Sequence, residues 1–405
     1  MKEISPFSPG RPVPVEYFVG RKDEINKLIK GIKQTSVGQN INAFITGERG
    51  IGKSSLALFV KYLLENDNSL LPKDIKFLTA YCFLGPAKTL PEVCKLMVEK
   101  LISSIRDESL WGKIKSSLNK YIDSIGLDLF GIGVKVGFKK DLEDLPSDFY
   151  SIVKYIWNMV RDKYKGIMLV LDDINGTTKI EGFSMFLKSF IDGIAVDYKE
   201  RLPLLFLLVG IPERMDDLAR EQPSTARIFD VIDLRLMSKE ESREFVNRAL
   251  ESVKTGIAEE ALNFIVQYSG GFPALLHEIG DAVYWTDRDN YISMDDAIDG
   301  IMVAAENVGR KYFHRRLYKE MQSKTHRRIL YKMARSQKEI LTRKDILAML
   351  NDKERKVIDT FLNKSINRGI LRKLERGEYE FPSKLFGLYV LLESIKEKNK
   401  PRGTA

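Results

Sequence analysis

The chain has 405 residues, 44% hydrophobic and 30% charged, with a net charge of +9. That is the balance of a globular protein of two or three domains with real apolar cores; no apolar run approaches the ~20 residues of a membrane helix, which argues against a membrane-spanning protein or a membrane partner. Two cysteines, Cys82 and Cys94, and three histidines supply neither a zinc-ligand spacing nor a disulfide framework. The opening residues, MKEISPFSPGRPVPVEYFVG, lack the apolar stretch of a secretory signal, so a cytoplasmic location is expected. Charge is unevenly divided: from Arg310 to Ala405 there are 26 Lys and Arg against 11 Asp and Glu, a net +15, leaving −6 for the rest. Such a split points to a polyanion as partner of the tail alone, or to a solvated basic surface.

In chain order, apolar spacing predicts a helix over Lys22–Ile32 and a strand in INAFI, Ile41–Ile45. The strand runs into ITGERGIGKSS, which contains G-x-x-x-x-G-K-S from Gly47 to Ser54, and LALFVKYLL follows with helical spacing. Strand, glycine-rich loop and helix are the context in which backbone N–H groups wrap phosphates. Lys53 would reach the β and γ phosphates and the Ser54 hydroxyl would ligate Mg²⁺. A strand at Ile75–Phe83 comes next, then an insertion between Leu90 and Tyr164 with two helical stretches and IGLDLFGIGVKVGFKKD, Ile125–Asp141. The last reads as a glycine-rich hairpin, either a pore or DNA-contacting loop or a plain surface hairpin. GIMLVLDDIN, Gly166–Asn175, is a continuous apolar strand ending in two carboxylates: Asp172 would hold Mg²⁺ and Asp173 would orient or deprotonate the attacking water. A helix, a strand at Leu204–Val209, a helix and a short strand at Val231–Leu234 complete an α/β alternation, which means a parallel sheet with helices on both faces. After Ser238, which forms a capping box with Glu241, the chain reads as an all-helical lid. The tail reads as helices over Thr325–Ser336, Thr342–Leu350 and Glu354–Asn367, then two short strands turning at Arg376 and Gly377. The expected domains are a nucleotide-binding core over 1–236 with an insertion near 106–146, a lid over 237–310 and a basic domain over 311–405.

With both phosphate-site motifs in place, the chain resembles the AAA+ ATPases, near the STAND NTPases, the archaeal-type ATPases and the origin-recognition initiators. PVEYFVGRKDEINKL, Pro14–Leu28, looks like the box whose residues line the adenine pocket, which implicates Tyr17, Phe18, Val19, Gly20 and Arg21. The resemblance further implies a nucleotide cradle of Gly47, Glu48, Arg49, Gly50, Ile51, Gly52, Lys53, Ser54 and Ser55. LPLLFLLVGIPERMDDL resembles the sensor-1 strand, followed by Glu213 and Arg214; STARIFDVIDL resembles the box whose arginine, here Arg227, reaches a neighbouring subunit's γ-phosphate. SGGFPALLHEIG resembles the GxP segment of the lid and sets Pro273 against the base. Two departures stand out. The second acid is Asp173 rather than Glu, and Pro273 stands where initiators offer a lid arginine; both favour a slow switch over a fast motor.

The tail is similar to a winged helix-turn-helix. On its third helix Val357, Ile358, Phe361, Leu362 and Ile366 form the apolar face and leave Lys356, Thr360, Asn363, Lys364 and Asn367 outside, with Lys373 and Arg376 at the hairpin tip. That face suits duplex DNA; winged helices also dock proteins or mediate oligomerisation. The sequence thus reads as an ATP- and Mg²⁺-dependent, slowly hydrolysing switch that forms homo-oligomers and binds DNA. The alternative is a STAND-like signalling or scaffold ATPase whose tail binds a protein.

Overall fold

The computed structural model describes residues 4–66, 70–107, 143–197, 201–314, 318, 321 and 323–398. The hairpin expected at Ile125–Asp141 lies outside them. Two compact units emerge: Pro12–Arg235, and the residues up to Arg11 together with those from Leu236 onward.

The first unit contains α1 (Lys22–Ser36), β1 (Asn42–Thr46), α2 (Lys53–Glu65), β2 (Phe77–Phe83), α3 (Leu90–Ser103), α4 (Leu145–Val160), β3 (Gly166–Asp172), α5 (Phe183–Val196), β4 (Leu204–Val209), α6 (Glu213–Glu221) and β5 (Phe229–Asp233). The strands form one parallel sheet in the order β2-β3-β4-β1-β5. β3 and β4 are buried along their whole length, which is why GIMLVL and LLFLLV carry no polar alternation. On one face Leu78, Ala80, Cys82, Leu169, Leu171 and Phe206 pack with the apolar stripes of α3, α4 and α5. Leu205, the neighbour of Phe206 and so on the opposite face, approaches Gly31 of α1, where an added Cβ would lie 4.0 Å away. Helices therefore cover both faces. Each fully buried Leu, Ile or Phe contributes ~1.5–3 kcal/mol, so this sheet core outweighs any surface ion pair as the holder of the loops at its edge. Cys82 and Cys94 are free thiols inside that core. Register aligns the carboxyl ends: Asp172 lies beside Phe83 on one side and Val209 on the other, and Thr46 beside Asp233. At such an edge open α/β sheets bind their ligands.

The second unit contains α7 (Lys239–Ser252), β6 (Gly256–Ile257), α8 (Glu259–Ser269), α9 (Pro273–Thr286), β7 (Tyr291–Ile292), α10 (Met294–Val308), α11 (Lys324–Arg335), β8 (Ile340–Thr342), α12 (Arg343–Met349), α13 (Asp352–Arg355), α14 (Ile358–Asn367), β9 (Arg372–Lys373), β10 (Glu378–Glu380) and α15 (Lys384–Lys398). The Ser238–Glu241 capping box is present. The lid is not all helical, because β6 and β7 pair in parallel. The N-terminal segment belongs here: Phe7, 4% exposed, stands edge-on to Phe245 and His277, and the Ser8 N–H donates to His277 Nδ1 at 3.0 Å.

In the tail, β8, β10 and β9 form an antiparallel sheet with Gly377 turning at φ 88°. The expected third helix is broken in two. Asn351 and Glu354 build a capping box for a single turn, and Val357 at φ −111° leaves the helical range before α14 begins. The end of the tail is a helix where strand was expected. Pro382 cannot donate to a ladder, and Ser383 Oγ accepts the Phe386 N–H at 3.1 Å, a helix cap. Leu385, Phe386, Tyr389 and Val390 then bury one helical face.

Candidate functional site

β1 delivers the chain to the loop 47–52. Gly47, Gly50 and Gly52 have φ of 141°, 83° and 101°, values that side-chain-bearing residues rarely adopt. A Cβ on Gly47 would also lie 3.0 Å from the Leu234 carbonyl oxygen. Gly52 caps α2, so the helix N-terminus opens into the loop with its free N–H groups. Gly47 and Ile51 are buried, whereas Glu48, Arg49 and Gly50 are exposed at the loop's outer turn.

Lys53, the first residue of α2, donates from Nζ to the carbonyls of Gly47 and Glu48, both at 2.8 Å. Burial depresses its pKa, and the nearby Asp172 and Asp173 charges work against that depression. Phosphate oxygens would answer the same ammonium without desolvating it further. Asp172, 5% exposed at the end of β3, accepts the Asp173 N–H at Oδ1, 2.8 Å away, and the Tyr81 hydroxyl at Oδ2. Desolvation and the Asp172 charge push the Tyr81 phenol far above the ordinary range. Asp173 sits in the left-handed region at φ 57°, and its Oδ1 is held by Asn175 Nδ2. A Cβ on Gly85 would come within 2.9 Å of Asp173 Oδ2, so the turn after β2 lies close over this acid.

Asn175 extends the network to the sensor-like segment. Its Oδ1 accepts from the Ile211 N–H and its carbonyl from Arg214 Nη1, both at 3.2 Å. Arg214, in the first turn of α6, also pairs with Asp217 at 2.6 Å. Arg227 is exposed in a short 3-10 turn, Thr225–Ile228, just before β5.

The N-terminal box packs against α2. The Val13 N–H donates to Ser55 Oγ at 3.2 Å, and Phe18 stacks on Phe59 at 4.5 Å between ring centroids. Val19 is buried and Tyr17 half-buried. Gly20 and Arg21 both have positive φ, 71° and 59°. Arg21, 7% exposed, donates from Nη2 to the Ile51 carbonyl at 3.1 Å and from Nη1 to the Arg235 carbonyl at 2.5 Å. It thereby fastens the tip of the phosphate loop. Pro273 is the first residue of α9 in the other unit.

Sequence reasoning gave Tyr81, Gly85 and Asn175 no role. A tyrosine two residues from a strand's end carries no signal until the parallel register sets it beside Val170, two residues before Asp172. On the basic tail, Lys356, Thr360, Asn363, Lys364, Asn367, Lys373 and Arg376 are all exposed.

Residues 21–186 match the KAP family P-loop domain. A curated protein of Methanocaldococcus jannaschii, named an uncharacterized HTH-type transcriptional regulator, is 26% identical over 287 residues, 67% of this chain; the chain spans 64% of that relative's length. Among solved structures, the ORC2 protein of Aeropyrum pernix in its ADPNP–ADP complexes superposes with a TM-score of 0.56 at 13% identity, covering 97% of this chain and 98% of that one. A Walker-type ATPase of Pyrococcus abyssi gives 0.55 at 16% identity, covering 94% and 98%. The chain thus carries a P-loop NTPase domain, built on the five-stranded parallel fold it shares with these ATPases.

Proposed function

We propose that the protein is an ATP-binding, slowly hydrolysing switch whose nucleotide state is coupled to DNA binding by the basic tail. The juxtaposition of Lys53, Asp172 and Asp173 at the carboxyl edge of the sheet carries the nucleotide half of this reading. In it, the loop N–H groups and Lys53 bind the phosphates, and Asp173, steadied by Asn175, takes the proton of the attacking water. Ser54 and Asp172 form a hard oxygen donor set that fits Mg²⁺, which when bound would neutralise charge on the phosphates. Tyr17, Phe18 and Val19 border the base, and Arg227 is proposed to complete a neighbour's site. A carboxylate one methylene shorter than Glu, already engaged by Asn175, supports slow turnover.

The DNA half rests on the exposed basic face of α14 and the β9–β10 tip, on the +15 charge from Arg310 onward, and on the HTH name of the M. jannaschii relative. The tail's helix–strand–helix–helix–hairpin order supports a winged-helix reading. Fluorescence anisotropy of full-length protein on unrelated duplexes tests it. Binding should weaken steeply from low to physiological salt, because each phosphate contact releases counterions. No binding at low salt would overturn the DNA reading in favour of a protein-docking tail.

A further inference from the structure

We infer that Tyr81 is a positioning residue that guards the cation position: its hydroxyl is hydrogen-bonded to Asp172, and a divalent cation must displace it to reach that carboxylate. The inference rests on the nucleotide-site reading above and concerns a residue that lies in neither of its motifs.

The geometry is specific. β2 and β3 run in parallel register, with Tyr81 beside Val170 and Phe83 beside Asp172, so the phenol extends along the sheet edge toward the carboxylate. Its hydroxyl donates to Asp172 Oδ2, while the other carboxylate oxygen is occupied by the Asp173 N–H at 2.8 Å. Both oxygens of a carboxylate that is 5% exposed are therefore engaged. A hydroxyl has one proton, and that of Tyr81 is given to Asp172. A hydrogen bond to a buried charged group is among the stronger ones. Cation entry must break it, and the link thus subtracts from cation affinity while keeping the buried carboxylate satisfied.

The test compares wild type with Tyr81→Phe, which keeps the ring and removes only the hydroxyl. Titration calorimetry of ADP is run in EDTA and in Mg²⁺, and free Mn²⁺ is followed by electron paramagnetic resonance at saturating ADP. Losing one charge-assisted hydrogen bond converts to about a tenfold change in binding. Tyr81→Phe should therefore bind Mn²⁺ about tenfold more tightly in the ADP complex, with ADP affinity in EDTA unchanged. Equal or weaker Mn²⁺ binding by a variant whose melting midpoint matches wild type would overturn the guard role and leave the nucleotide site standing. Wild type that binds no ADP under either condition would overturn the site reading, and the guard role with it.

Discussion

Lys53 and Arg21 sit within one short loop's reach and make opposite demands on it. The Lys53 ammonium is a point charge that can exchange carbonyl for phosphate partners, so Lys53→Ala should abolish tight ATP binding in titration calorimetry. Asp173→Asn should keep ATP affinity and lower turnover at least 100-fold, roughly the worth of a positioned general base. Arg21 never need touch nucleotide to matter: its guanidinium holds the Ile51 and Arg235 carbonyls, so Arg21→Ala should raise the Kd for ADP about tenfold through a looser loop, read by the same titration. The P-loop and the two acids were legible because glycine spacing and an apolar run ending in Asp-Asp are local signals. The Arg21 clamp was not, since it depends on two carbonyls remote in sequence. His277 presents a further residue-scale consequence. Burial lowers its pKa from 6.5 to about 4. The folded state favours neutral imidazole, so the unfolded chain takes up the proton first as pH falls. His277's contribution is complete above pH 6.5 and is lost between there and about pH 4, a change of about 3 kcal/mol. Urea titrations at pH 7 and pH 5 should show about 2 kcal/mol of this loss, and His277→Asn should flatten the pH slope by up to one proton.

At the scale of elements, α10 and the glycine that follows it pack closely against α15. A Cβ placed on Gly309 would lie 2.1 Å from the Tyr389 ring, and Lys396 pairs with Glu306 at 2.8 Å along the same contact. Gly309→Ala must push Tyr389, itself 1% exposed, out of its place, an overpacking cost of about 1–3 kcal/mol. Differential scanning calorimetry should register it as a lower midpoint, whereas neutralising the exposed pair with Lys396→Gln should shift it little. This contact also explains which elements were legible. β3 and β4 announce themselves as apolar runs, and α1 through its spacing. α15 did not, because FGLYVL is equally apolar as strand or helix, and only the Ser383 cap and its partners decide. The two-residue strands β6 and β7 and the three-residue β8 are too short to establish any period.

For the whole molecule, charge and assembly are the readable quantities. Lys356→Ala, Lys364→Ala and Arg376→Ala should each weaken DNA binding alike across unrelated sequences and lower the salt slope by about one, with ADP affinity unchanged, in anisotropy titrations. If Arg227 acts on a neighbour, ATPase activity per chain should rise with protein concentration, and a mixture of Arg227→Ala with Asp173→Asn should regain activity that neither has alone. The charge division was legible by counting residues. The place of residues 4–11 in the second unit was not, because nothing in them announces that their partners begin past Leu236. That arrangement has a consequence for biosynthesis. Residues 12–235 can complete their sheet as soon as they are made, while Phe7, which precedes them, must wait for Phe245 and His277. At about 5–20 residues per second the wait is roughly 10–50 s, during which an apolar ring on the growing chain lacks those partners. A segment made before the sheet is thus among the last to dock, and closing so long a loop places its contact late in folding.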